Sequence, residues 1–137
     1  MSNLIIPVHE WDIEKVNLLI THGTDLDIQD KKGQTALIWI CYSDDALISA
    51  RYKNNTEIVK MLIRPKSGIG SNLDIQAEYG QTALMCACYK NNIEISKILI
   101  NKGSNLDIQD KNGNTALMWV CCTNHNTEIV KILIKKS

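Results

Sequence analysis

Acidic and basic side chains number 15 each, so this 137-residue chain has no formal net charge. Binding nucleic acid calls for clustered Lys or Arg, and here the lysines are scattered, so no nucleic-acid partner is expected. No apolar run approaches the ~20 residues that span a bilayer, so no membrane partner is expected either. Leu4 to Val8 is a short apolar stretch without a basic leader, and no secretory signal is read from it. Signatures of chemistry are missing as well. The sequence holds no nucleophile elbow, no phosphate-cradling loop, no dinucleotide fingerprint and no H-E-x-x-H pair. It reads as a non-enzyme with no cofactor.

What the chain does have is repetition. Gly80-Gln81-Thr82-Ala83-Leu84-Met85 returns as Gly113-Asn114-Thr115-Ala116-Leu117-Met118, 33 residues on, and stands upstream as Gly33-Gln34-Thr35-Ala36-Leu37-Ile38. A second phrase keeps pace: Asp25-Leu26-Asp27-Ile28-Gln29-Asp30, Asn72-Leu73-Asp74-Ile75-Gln76 and Asn105-Leu106-Asp107-Ile108-Gln109-Asp110. Self-similarity at a fixed period marks a stack of like units, which offers an extended surface instead of a catalytic pocket. Within Glu94 to Ile100, Ile95, Ile98 and Leu99 fall at i, i+3 and i+4, one face of a helix. Thr35, Thr82 and Thr115 stand where an N-cap precedes an apolar run, and Gly103 reads as a left-handed helix stop. Helices this short are marginal alone, so each pair must bury its face on the next.

These motifs resemble the ankyrin repeat, with its Gly turn, T-P-L-H opening a first helix, E-I-V-K-L-L in a second and G-A-D-V-N before the next turn. The wording is most similar to the ankyrin proteins encoded by giant DNA viruses, which would place the chain inside a host cell. Ala36, Ala83 and Ala116 replace the family's Pro, and Ile38, Met85 and Met118 its His, so packing must replace that histidine's hydrogen bond. The resemblance implies an all-α repeat solenoid of stacked helix-turn-helix units with β-hairpin fingers. It also implies a noncatalytic role in binding a partner protein through the fingers and the concave first-helix face.

Four units are expected in a single domain: an N-terminal capping repeat at 1–30, a repeat at 31–77, a regular repeat at 78–110 and a C-terminal repeat at 111–137. In the first, Pro7 interrupts any regular first helix, Ile13 to Ile20 write the second, and Glu10, Asp12, Glu14 and Lys15 face water. The second unit is longer than its neighbours, since Gly33 and Gly80 stand 47 apart. Aligning Tyr52-Lys53-Asn54-Asn55 on Tyr89-Lys90-Asn91-Asn92 places the extra residues at about 42–51 and 64–70. They are either a tolerated surface bulge or, given Leu47 and Ile48, part of a binding face. In the last unit Ile129, Val130, Ile132 and Leu133 read like interior residues where a polar end is usual. That end is either bare or stacked, which raises the alternative of a self-assembling module and a homodimer through the C-terminal repeat.

All five cysteines read as reduced, buried and small, with Cys41, Cys88 and Cys121 at one place in three repeats. Equivalent positions on packed helices ~8–10 Å apart are too distant for a disulfide. Cys121 and His125 could share a zinc, but structural zinc takes four ligands and no others are evident, so no metal is expected. Trp39 and Trp119, at the place taken by Cys86 in the middle repeat, read as core. The repeated acidic phrase reads as turn bracing, because a feature present in every repeat is scaffold. The candidate contacts are the positions that vary inside the constant framework. They are Lys31, Lys32 and Gln34 on the first finger, Glu78, Tyr79 and Gln81 on the second, and Lys111, Asn112 and Asn114 on the third. Tyr42 and Tyr89 follow the first-helix cysteine, so a Tyr79, Tyr89, Tyr42 ladder is expected.

Overall fold

The computed structural model describes residues 13–42, 49–63, 72–123 and 126–136, with 49–54 described by backbone alone. Among them are seven helices: α1 (Ile13–Thr21), α2 (Ala36–Cys41), α3 (Ser49–Ile63), α4 (Ala83–Tyr89), α5 (Ile93–Asn101), α6 (Ala116–Thr123) and α7 (Thr127–Lys136). First helices α2, α4 and α6 pack in sequence as one layer, and second helices α1, α3, α5 and α7 form the other. The core lies between the layers and between repeats. Leu37, Ile38, Ile58, Leu62, Leu84, Ile95, Leu99, Ile129 and Leu133 are its largest buried members. Burying one such side chain contributes ~1.5–3 kcal/mol, so a stack of modest pairs holds without a globular centre. Ile98 sits half-buried on the flank of α5, and Ser96 with Ile100 joins Ile95 and Leu99 inside.

Local chemistry fixes the helix ends. The Thr35, Thr82 and Thr115 hydroxyls accept from the amides of Ile38, Met85 and Met118. Asn92 and Asn126 do the same for α5 and α7, accepting from Ile95 N and Ile129 N at 3.1 Å. Gly103 takes φ +94°, and Ser104 N donates to Leu99 O while Gly103 N donates to Ile100 O, closing α5 as its sequence position predicts.

The fingers expected as β-hairpins are hydrogen-bonded turns, with no strand among the described residues. Asp30 N donates to Gln34 O at 2.9 Å, but the amides of Lys32 and Gln34 turn inward to Asp30 Oδ1. Those donors are thereby withdrawn from any strand ladder. Fingers join through single bonds, Glu78 N to Lys32 O and Lys111 N to Tyr79 O. Behind them the second phrase crosses between repeats. Asp27 accepts from Asn72 N and Asp74 from Asn105 N, while Gln29 and Gln76 donate both to their own finger and to the next repeat.

The second unit departs from the alignment. Residues 52–55 were expected in the link between helices, but α3 begins at Ser49 and runs 15 residues, against nine in α5. Asn55 is therefore inside a helix where Asn92 caps one. Its Oδ1 is buried with no hydrogen-bond partner. Leu47, Ile48 and the 64–70 insertion lie outside the described residues, as do Pro7, Glu10 and Asp12. Glu14 and Lys15 are exposed.

Two pairs of substitutions check this account. Asn92→Ala removes a cap and should cost about 1 kcal/mol, whereas Asn55→Ala removes a buried amide oxygen that has no partner and should be neutral or stabilising in urea unfolding. Gly80 and Gly113 share φ near +80°, but a Cβ on Gly80 would come within 2.8 Å of Lys111 N, while one on Gly113 meets nothing within 4 Å. Gly113→Ala should cost ~1–2 kcal/mol through left-handed strain alone. Gly80→Ala should cost clearly more, and equal losses would mean that the fingers do not touch.

Candidate functional site

The first and third fingers are each built on a carboxylate at the base. Asp30 Oδ1 holds the turn amides, and Oδ2 accepts from Trp39 Nε1 at 2.7 Å. Asp110 repeats this, taking the amides of Asn112 and Asn114 on Oδ1 and Trp119 Nε1 on Oδ2 at 2.9 Å. Burial pushes the Asp30 carboxyl up, but donation from Gln34, Trp39 and Lys32, with the Lys32 charge, outweighs it and holds the group below the ordinary carboxylate value. Trp39 and Trp119 are accordingly only half-buried. The sequence reading of them as core is corrected: an indole needs a partner for its N–H, and the finger carboxylate draws each ring to the finger side of the first-helix layer.

The expected contact residues separate into two sets. Lys31, Lys32, Glu78 and Lys111 are exposed on the fingers, and Gln34 and Asn114 are half-buried at their bases. None of these six lines the cavity on which the other five converge. Tyr42, Tyr79, Gln81, Tyr89 and Asn112 converge on one of about 380 Å³, completed by Met85, Cys86, Asp110 and Trp119. Tyr79 is 63% exposed at the finger tip, with its amide tied to Gln81 Oε1. Tyr42 and Tyr89 stack with centroids 6.1 Å apart and 6° between planes, so two rungs of the expected ladder touch. Lys90 Nζ lies 4.6 Å from the Tyr42 centroid and 5.4 Å from that of Tyr89. Trp119 meets Tyr89 edge to face at 5.3 Å.

Met85, Cys86, Lys90, Asp110 and Trp119 were missed as site residues. A signal for them was present in the sequence. Asp30 with Trp39 and Asp110 with Trp119 are nine apart, and the middle repeat replaces both members, with Ala77 and Cys86. A second cavity, about 560 Å³, lies beside α3 and α5 and is lined by Lys60, Met61, Ile63, Ile98, Asn101 and Lys102. No expected contact residue reaches it.

A family model described as "Ankyrin repeats (3 copies)" matches residues 46–137, about two thirds of the chain. The chain belongs to the ankyrin-repeat family. No curated protein matches it. Ankyrin repeats are generally protein-interaction modules and are typically noncatalytic. No helix among the described residues is long and apolar enough to cross a membrane.

The cysteines divide by position in the ankyrin stack. Cys41, Cys86 and Cys88 are buried, and burial pushes the Cys86 and Cys88 thiols up to about 12 and that of Cys41 well above its ordinary value. Cys121 and Cys122 are exposed, against the expectation that all five are buried. Cys121 occupies the place of Cys88, but no following repeat covers it among the described residues. His125 lies outside those residues. A thiol with a raised pKa stays protonated and unreactive at pH 8. A chromogenic disulfide reagent should therefore titrate two of the five thiols in the native protein and all five after denaturation. Rapid reaction of more than two would overturn the burial of the other three.

Proposed function

We propose that the chain is a noncatalytic recognition module that binds a partner protein through its fingers and the finger-side ends of its first helices. The observation that carries this reading is the convergence of Tyr42, Tyr79 and Tyr89, each more than 40% exposed, on one cavity. Exposed aromatic rings beside a concavity are the residues that dominate binding energy at interfaces. The fingers are tied to one another and to their own bases, so little ordering entropy is lost on binding. The free, partly exposed cysteines and the Asn-, Ile- and Lys-rich wording support an intracellular setting and an AT-rich source such as a giant DNA virus.

A second reading is end-to-end self-assembly. Met118 is 46% exposed where Met85 is 2%, and Ile134 is 60% exposed where Ile100 is 4%, so no described residue covers this face of the repeat at 111–137. Sedimentation velocity across a wide concentration range separates the two. A monomer throughout removes the second reading, whereas a reversible dimer that Ile134→Glu dissociates supports it.

For the first reading, a photo-crosslinking residue at 79 should capture the partner and one at 97, on a second helix, should not. Tyr79→Ala with Lys32→Ala should weaken partner binding at least tenfold while leaving helical circular dichroism and the melting temperature unchanged. Unweakened binding would sink the finger-side assignment.

A further inference from the structure

We propose that the cavity under the second finger is a receptor for one aromatic side chain of a partner polypeptide, with an indole as the best fit. This rests on the reading that the finger side binds a protein, and it names the chemistry of the contact.

The repeats themselves supply the template. In the two flanking repeats an indole occupies this place on the first helix, anchored by the finger-base carboxylate at 2.7 and 2.9 Å. In the middle repeat both partners are gone together. Ala77 stands at the finger base and Cys86 on the helix, and Cys86 lines a cavity of about 380 Å³. Either loss alone would leave a group without its partner, a free carboxylate or an indole without an acceptor. The paired loss leaves a clean opening, and a ring entering it would continue the row of indoles set by Trp39 and Trp119.

The lining favours a neutral ring over a cation. Lys90 already sits over Tyr42 and Tyr89, so a second cation at those faces would be repelled. The Asp110 carboxylate is engaged by two amides and the Trp119 indole, with its residue 8% exposed, and offers little to an entering guanidinium. Met85 and the protonated Cys86 thiol make an uncharged floor. Trp119 and Tyr89 already meet edge to face at 85°, the geometry by which a third ring would join them.

The test is a nitrogen-15 NMR titration of the full chain with N-acetyl-tryptophanamide, N-acetyl-leucinamide and N-acetyl-argininamide. The tryptophan probe should bind at least tenfold more tightly than the other two and shift the Met85, Cys86 and Trp119 signals. Cys86→Trp combined with Ala77→Asp restores the flanking pattern, fills the cavity and should abolish that binding. Cys86→Leu is a smaller filling that serves if the double variant does not fold. Equal binding of the leucine or arginine probe, no binding of the tryptophan probe, or binding that survives the filling overturns the proposal. Peptides selected from a random library on the intact chain separate it from the reading beneath it. Peptides that carry an aromatic residue and lose binding on Cys86→Trp support the receptor. Peptides weakened by Lys32→Ala but indifferent to Cys86→Trp would leave the finger surface standing and remove the receptor. Indifference to both would remove both.

Discussion

Six of the seven described helices have ten residues or fewer, and helices that short do not hold in water by themselves. Their stability comes from the faces they bury, and each has only one partner helix within its own repeat. The second partner is the equivalent helix of the next repeat, which makes contact between repeats the condition for the fold. Leu84, Cys88, Ile95 and Leu99, at 1% exposure or less in the middle repeat, are sealed by neighbours on both sides. In the repeat at 111–137 Met118 and Cys121 stand where Met85 and Cys88 are buried and are open, whereas Ile129 and Leu133 stay buried against the preceding repeat, so a following unit is what covers the outer positions alone.

Stacking short helices brings many backbone groups close together without a sheet to pair them, and the second repeated phrase answers that need. Its leading Asp or Asn caps its own turn, the following Asp accepts an amide from the next repeat, and the Gln donates to two carbonyls, one on each side of the junction. The phrase is constant because its leading residue serves its own turn while the following Asp and the Gln reach the next repeat. That same economy shapes the first and third fingers. A carboxylate at the base takes two amides that a strand pair would need, and in exchange gains an indole donor.

Periodicity made the architecture legible, and the threonine caps and Gly103 stop were readable because each is a local requirement of one helix end. Position within a repeat does not say which way a large ring leans. Trp39 and Trp119 were placed in the core by their regularity, whereas regularity equally describes a ring clasped by a finger. The 15-residue α3 was hidden for a related reason. Asn55 aligns with a cap, and alignment assumes that equivalent residues do equivalent work, but the longer helix engulfs it and leaves its amide oxygen without a partner. The varying finger positions were visible as variation, yet only five of the eleven reach the cavity, because variation marks solvent access and not convergence.

In a repeat protein, information about function accumulates where the pattern is broken, since whatever every repeat shares is needed to stack it. Single departures are weak evidence, because drift at one site produces them freely. Linked departures are stronger. Losing Trp at one position and Asp nine residues earlier requires two changes that are each unfavourable alone: an anchored indole without its acceptor, or a carboxylate base without its donor. The middle repeat carries both changes, and the rings of Tyr42, Tyr89 and Trp119 line the cavity beside Cys86. A cavity drained of its charge by a saturated carboxylate on one side and a cation already seated on tyrosine on the other selects for an uncharged ring. On the proposed reading, the specificity of this ankyrin stack is carried by the repeat without the indole, with the repeats on either side holding the walls apart.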